Sequence, residues 1–274
     1  MSIKGAVKSI LKPVYYRLPA RFCYGPQFHS TFKLLEQSER WSEDRLAEFQ
    51  VSKLRAMLRH CARHVPYYRR LFRDAGFDPE SVRDLADLRA LPLLDKEIVR
   101  ANMKDFLAEN ISPGQMLYFT TGGSTGAPLA VYNLKHAGGR EWAFMLAQWA
   151  RVGFRYTDRR AILRGWPVKN RRRWRYEASE RGYAFSNFHM TPENVSEYAR
   201  VMRERKIPYL HSYPSAIIDF IRHLKNLQLE PPRFQAILAS SENLYAGQRE
   251  LIESFFGARL FSWYGHTEDL ILAG

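Results

Sequence analysis

The residues of this chain that are best suited to chemistry form a short loop rich in glycine and hydroxyl side chains. It reads Thr120-Thr121-Gly122-Gly123-Ser124-Thr125-Gly126-Ala127-Pro128. Glycines allow positive φ, so successive backbone N–H groups can point into one concavity, and the hydroxyls add further donors. This composition predicts a phosphate-binding loop. The alternative is an ordinary glycine-rich connection between two hairpin strands, 116–119 and 129–132.

The loop differs from the two best-known phosphate-binding motifs, because it has neither the lysine of a P-loop nor the G-x-G-x-x-G spacing of a dinucleotide site. It resembles instead the Ser/Thr/Gly-rich phosphate loop of the adenylate-forming (acyl-CoA synthetase) superfamily, in particular its phenylacetate-coenzyme A ligase and CapK-like (capsular polysaccharide biosynthesis) branch. A second motif, Tyr264-Gly265-His266-Thr267-Glu268, resembles the Tyr-Gly-x-Thr-Glu motif of the same superfamily. The resemblance extends over about residues 38–274.

The resemblance assigns a nucleotide site to these two motifs. The loop residues that would hold the phosphates are Thr121, Gly122, Gly123, Ser124, Thr125 and Gly126. Tyr264 would stack on adenine, and Gly265 would permit close backbone approach. Thr267 would bind the α-phosphate, and Glu268 would hold Mg²⁺, which accepts one or two carboxylates beside substrate phosphates. Thr267 and Glu268 are therefore the predicted catalytic residues, and Glu268 is the predicted metal ligand.

Two further segments match the family less specifically. Ser241 and Glu242 follow an apolar run and correspond to the turn that lines the adenine pocket, although either could instead cap a helix that begins near Tyr245. Tyr213 corresponds to an aromatic residue beside the acyl-substrate pocket. Its alternative is a loop in which Ser212 or Ser215 caps the next helix.

The reaction that the resemblance implies is attack of a substrate carboxylate on the α-phosphate of ATP, with Mg²⁺ bound, giving an acyl-adenylate and pyrophosphate. The acyl group is then transferred to coenzyme A or another thiol. Ala127 and Gly122 depart from the residues common in relatives, which are lysine and a hydroxyl residue. The family also has a C-terminal domain after the second motif, which is absent from residues 1–274. The expectation is therefore an incomplete N-terminal domain, with the missing domain present in full-length relatives.

The charge of the chain suggests competing functions. The net charge is +14 and the pI is about 9.9. A nucleic-acid-binding protein is one alternative, with Arg171 to Arg173, Trp174 and Arg175 as the binding residues. No nucleic-acid-binding motif accompanies them, so small anionic substrates are favoured. The basic residues within 1–21 predict peripheral contact with a membrane or packing on the main domain. A non-catalytic module of a polysaccharide biosynthesis complex is the other alternative.

The arrangement of apolar segments predicts the fold class. Short apolar runs alternate with helical patterns at 136–150, 192–205 and 215–227, which favours an α/β fold with layered mixed sheets flanked by helices, similar to the large N-terminal domain of adenylate-forming enzymes. Residues 42–64 predict an amphipathic helix, with the following side chains facing inward: Leu46, Phe49, Leu54, Met57, Leu58 and Cys61. We expect a basic helical segment at 1–37 and the main domain at 38–274. With two cysteines and no long apolar run, we expect a cytoplasmic protein.

Overall fold

The computed structural model describes Tyr15, Leu18 and residues 20–120, 129–135, 137–165, 173–265 and 272–273. The chain divides into two compact units. One comprises residues 33–137, and the other comprises the described residues up to Phe32 together with those from Gly138 onward. The boundary expected between residues 37 and 38 stays a prediction.

The unit of residues 33–137 is built mainly from helices. They are α1 (Ala20–Ser38, shared with the other unit), α2 (Glu43–His64), α3 (Pro66–Asp74) and α4 (Lys96–Ala101), with 3-10 helices at Leu85–Ala90 and Pro113–Gln115. The predicted helix at 42–64 is confirmed, because Ser42 caps the N-terminus of α2 by accepting from the Arg45 N–H. The inward placement of Met57 was wrong. Met57 is exposed and Leu58 is buried, since neighbouring helical residues point about 100° apart.

A hairpin completes this unit. Strands β1 (Met116–Thr120) and β2 (Ala130–Leu134) pair antiparallel, with Thr120 opposite Ala130. The predicted phosphate loop connects these strands in sequence, and residues 121–128 lie outside the described residues. A hairpin is compatible with both interpretations of the loop, so its phosphate-binding role stays a prediction.

The second unit contains a six-stranded sheet. Its elements are α5 (Gly138–Ala150), β3 (Arg160–Arg164), β4 (Trp174–Glu177), β5 (Gly182–Ser186), α6 (Pro192–Glu204), β6 (Tyr209–Ser212), α7 (Pro214–Asn226), β7 (Ala236–Ala239), α8 (Gln248–Phe256) and β8 (Arg259–Ser262), with 3-10 helices at Ala178–Glu180 and Asn187–His189. The strand order is β4-β5-β3-β6-β7-β8, in which β4 is antiparallel and the other neighbours are parallel. Two short strands follow β8 in the chain. They are β9 (Tyr264–Gly265) and β10 (Leu272–Ala273), and they pair antiparallel with each other.

Side chains alternate between the two faces of this sheet, and each face is covered by helices. Leu163, Leu210 and Ile237 belong to the core that includes residues of α6, α7 and α8. Tyr209 and Leu238 belong to a second core that includes residues of α5 and the Phe28 ring. The predicted α/β class with a mixed sheet flanked by helices is therefore confirmed. Of the helices that the structure describes, none combines the length and the apolar character needed to cross a membrane.

Candidate functional site

The carboxyl ends of the parallel strands gather polar and aromatic side chains at one edge of the sheet. The chain passes from β3 to β5 on one side and then to β6 on the other, so the order of the strands reverses at β3. In open α/β sheets, ligands bind outside the carboxyl ends of the strands at such a point. The residues at this edge are Arg164 at the end of β3, Ser212 at the end of β6 and Tyr213 after it, Ser240 to Glu242 after β7, and Tyr264 after β8.

Arg164 is at the centre of the contacts at this edge. Its Nη2 donates to Ser241 Oγ at 2.8 Å, and its Nη1 lies 3.0 Å from His211 Nε2. The guanidinium carbon lies 4.8 Å from the centroid of the Tyr213 ring, within the range of a cation–π contact. Arg164 thus connects residues that follow or end three neighbouring strands, β3, β6 and β7.

His211 is a buried, neutral acceptor for Arg164. Its ring packs edge-on against Trp149, with 5.0 Å between the ring centroids. Burial lowers the pKa of His211 well below 6.5, and the charges of Arg164 and Arg160 lower it further. Because a guanidinium can only donate hydrogen bonds, Nε2 must accept and the ring proton is assigned to Nδ1.

The lowered pKa of His211 predicts a specific pH dependence of stability. Below about pH 6.5 the unfolded chain binds a proton at His211 that the folded chain does not, so folding becomes less favourable as the pH falls. We expect neutral His211 to contribute to the free energy of unfolding, and this contribution has its full value above pH 6.5. This contribution falls below that pH by up to about 1.4 kcal/mol per pH unit.

Urea unfolding between pH 5 and 8 measures this contribution. In His211→Gln, the amide oxygen can still accept from Arg164 but cannot titrate, so we expect a shallower loss of stability on acidification. The exposed His29 provides a matched control, and His29→Gln should follow the unmodified chain. Parallel pH profiles for the unmodified chain and His211→Gln would contradict the prediction.

The bend after β7 positions the two residues predicted for the nucleotide pocket. Ser241 has φ of 67°, a left-handed conformation that is uncommon outside glycine, and its hydroxyl accepts from Arg164. Glu242 accepts at 3.0 Å from both the backbone N–H and the hydroxyl of Ser215, near the N-terminus of α7. The alternative of a cap on the helix near Tyr245 was wrong, because that helix, α8, begins after Gly247 without a side-chain cap.

Tyr213 lies at the site edge, as predicted for a substrate-binding residue, but the serine caps proposed as its alternative are not observed. The N-cap position of α7 is Tyr213 itself, and no side chain caps that helix from this position. Ser212 is buried and donates to the Leu163 carbonyl at 2.6 Å, which connects β6 to β3. Ser215 contacts Glu242 instead.

Tyr264 is on β9, directly beyond β8, and its side chain is 63% exposed. Gly265 follows it and pairs with Leu272 of β10. The neighbouring strands β7 and β8 pair in parallel with Ala239 opposite Ser262, so the two predicted nucleotide-pocket segments leave the sheet at the same edge. Thr267, Glu268 and residues 121–126 lie outside the described residues, and their roles stay predictions. Within the described part of the chain, no group of three or more His, Cys, Asp or Glu could hold a metal ion.

Arg164 and His211 were not predicted as site residues from the sequence. Neither belongs to the segments that the resemblance assigned to the site. A signal was nevertheless present, because an arginine directly after the apolar run 161–163 marks a charge at the end of a buried strand. The partners of Arg164 come from distant segments, which only the folded chain brings together.

Comparison with known proteins supports the resemblance seen in the motifs. A search against protein-family models found no match. Among curated proteins, the chain is similar to the phenylacetate-coenzyme A ligases of Aromatoleum evansii, at 31% identity over 115 residues, and of Escherichia coli K12, at 35% over 98 residues. These alignments cover 42% and 35% of this chain but only 26% and 22% of the two enzymes. The aligned part therefore spans about a quarter of these relatives.

Solved structures extend the similarity to most of the chain. An open conformation of 2-hydroxyisobutyryl-CoA ligase, crystallised with 2-HIB-AMP and CoA, superposes with a TM-score of 0.61. The identity is 18%, and the match covers 80% of this chain and 53% of that one. The chain shares its fold with an acyl-coenzyme A ligase. Its sequence and its fold thus both resemble the adenylate-forming superfamily, while at this identity the structural likeness carries the fold alone.

Proposed function

We propose that this chain forms the ATP- and acid-binding part of an adenylate-forming ligase. The observation that carries the proposal is the convergence of the Ser241–Glu242 bend and Tyr264 at one edge of a sheet whose fold is shared with an acyl-CoA ligase. The two segments were predicted separately from sequence to line a nucleotide pocket, and they follow neighbouring parallel strands. Ligands bind at this edge in open α/β sheets.

In the proposed reaction, a carboxylate oxygen of the acid attacks the α-phosphorus of ATP and the bond to pyrophosphate breaks. Acyl-adenylate and pyrophosphate are the products. The ring of Tyr264 is exposed, and the proposal assigns it to stacking on adenine. Arg164 places a positive charge at the same edge, where negative charge on the reacting groups would be stabilised. Mg²⁺, held by Glu268, would neutralise phosphate charge when bound.

The finer parts of this proposal rest on the resemblance in sequence. They are a phenylacetate-CoA ligase-like choice of acid, transfer of the acyl group to coenzyme A or another thiol, and a role in capsule or polysaccharide biosynthesis. The two curated relatives described above are phenylacetate-coenzyme A ligases, which supports an acid substrate and a thiol acceptor. A role in a polysaccharide complex and a cytoplasmic location stay predictions.

The environment of Trp174 favours this proposal over nucleic-acid binding. Its indole N–H donates to Glu197 at 3.2 Å, and its ring lies near Tyr183 and Phe185 of β5. Arg175, next to it, forms an ion pair with Glu177 at 3.3 Å. A tryptophan packed against the sheet in this way has less surface to offer for stacking on bases.

Calorimetric titration of the 274-residue chain with Mg-ATP tests the proposal. We expect binding that weakens roughly tenfold or more in Glu268→Ala, because a lost contact to a charged group costs about 1.5–3 kcal/mol. A similar loss is expected in Gly123→Val, because a β-branched side chain disfavours the positive φ of a phosphate loop. Glu250→Ala removes an exposed carboxylate on α8 and serves as the control. Equal Mg-ATP affinity in all four proteins would contradict the proposal.

A further inference from the structure

The guanidinium of Arg164 carries a charge that the described part of the chain does not neutralise. Both of its hydrogen-bond partners, Ser241 Oγ and His211 Nε2, are uncharged groups. None of the ion pairs between described residues includes Arg164. The residue is only partly exposed, so water solvates its charge incompletely.

The carboxylate next to these contacts in sequence already has other partners. Glu242 follows Ser241 directly, but its two oxygens accept from the backbone and the hydroxyl of Ser215. The fold therefore holds a guanidinium at the sheet edge while directing the carboxylate of Glu242 elsewhere.

This arrangement suits an oxyanion supplied from outside the described chain. A guanidinium has five N–H donors in a planar fork, and Arg164 uses two of its nitrogens for Ser241 and His211. The remaining donors can bind a carboxylate or a phosphate with two parallel hydrogen bonds. The Tyr213 ring lies against the guanidinium, with 4.8 Å between its centroid and the guanidinium carbon.

Apolar surface lies directly beside this charge. Gly165 follows Arg164, and a Cβ built on Gly165 would lie 3.4 Å from the Phe188 ring and 3.8 Å from the Tyr213 hydroxyl. The two aromatic side chains therefore approach each other over a position without a side chain. Phe188 is 66% exposed, so much of its ring surface is accessible.

We propose that Arg164 binds an oxyanion at this edge, and that this oxyanion is the carboxylate of an acid whose apolar body contacts Phe188 and Tyr213. That an acid is the substrate comes from the proposed function, on which this inference rests. The inference adds that Arg164 selects the acid by its charge. A phosphate of the nucleotide has the same chemistry, so the experiment must separate the two sources.

Ligand-observed NMR titrations of the 274-residue chain can make this distinction. Phenylacetate is the carboxylate probe, phenylacetamide is its neutral counterpart, and inorganic pyrophosphate, titrated by calorimetry, is the phosphate probe. We expect the chain to prefer phenylacetate over phenylacetamide by roughly tenfold or more, and we expect Arg164→Gln to remove this preference. Arg164→Lys should retain part of it, because the charge remains without the planar fork.

Arg222→Gln makes the same change in net charge at an exposed position of α7 and should retain the full preference. Phe188→Ala should weaken the binding of phenylacetate and of phenylacetamide by a similar factor, since only apolar contact is lost. If circular dichroism shows that Arg164→Gln is unfolded, the results for Arg164→Lys and Phe188→Ala decide the question. The inference is overturned if the chain shows no preference for the carboxylate, if Arg164→Gln or Arg164→Lys keeps it unchanged, or if only the affinity for pyrophosphate depends on Arg164.

Mg-ATP titrations of the same variants separate this inference from the proposed function. Mg-ATP binding that requires Glu268, together with a phenylacetate preference independent of Arg164, would overturn the inference alone. A carboxylate preference that requires Arg164, in a chain that does not bind Mg-ATP, would support the inference and contradict the proposed function.

Discussion

Replacing Glu180 by leucine is expected to lower the free energy of unfolding by about 3 kcal/mol, because the change leaves a buried guanidinium without its counter-ion. Arg160 is only 3% exposed and forms an ion pair with Glu180. Its guanidinium also lies over Trp142 and Trp149, at 5.1 and 5.2 Å from their ring centroids. Burial lowers the pKa of Arg160, and the carboxylate of Glu180 opposes that change. Urea unfolding at pH 7 measures the effect.

The double variant Arg160→Met with Glu180→Leu distinguishes a lost ion pair from lost packing. Removing both charges eliminates the uncompensated guanidinium, so the double variant should be more stable than Glu180→Leu alone. Glu204→Leu, which breaks an exposed pair with Arg200, should change stability much less. A double variant less stable than Glu180→Leu would show that the charge pair is not the cause.

The second large effect is expected at Trp149. Trp149→Ala should lower the free energy of unfolding by about 3–5 kcal/mol, because it opens a cavity in the core beneath the site. The side chain is fully buried and packs edge-on against Phe154 and His211, with ring centroids 5.1 and 5.0 Å apart. The same change removes the wall against which His211 is held.

Urea unfolding followed by circular dichroism tests the Trp149 prediction without relying on tryptophan fluorescence. Trp149→Phe fills part of the cavity and should cost less than Trp149→Ala. Tyr245→Ala removes an aromatic side chain that is 70% exposed, and it should stay within about 0.5 kcal/mol of the unmodified chain. A comparable loss of stability in Tyr245→Ala would show that burial does not explain the effect.

The local sequence was sufficient to predict most elements of the second unit. The helical patterns at 136–150, 192–205 and 215–227 correspond to α5, α6 and α7, and the short apolar runs that alternate with them correspond to strands of the sheet. These predictions depend on periodicity and on terminal residues such as proline and glycine, which act over a few positions. Met57 was misplaced because one residue on a helix changes the direction of a side chain by about 100°.

The contacts at the site could not be obtained in the same way. Ser241 was predicted as a pocket residue, but its hydrogen bond to Arg164 joins positions 77 apart in sequence. The alternative considered for Glu242 was a cap on the helix that follows it, whereas Glu242 contacts Ser215, which precedes it by 27 residues. Such pairs depend on which strands become neighbours, and the strand order β5-β3-β6 does not follow the order of the chain.

The sequence by itself determined the class of the fold, the candidate nucleotide motifs and the resemblance to adenylate-forming enzymes, because these depend on residue types at short spacing. Only the tertiary structure decided that Arg164 lies between a neutral histidine, a serine and a tyrosine at the edge of the sheet. It also decided that the neighbouring carboxylate of Glu242 contacts Ser215 instead. The physical reason is that the availability of a charge is a property of its surroundings, and strands distant in sequence supply those surroundings.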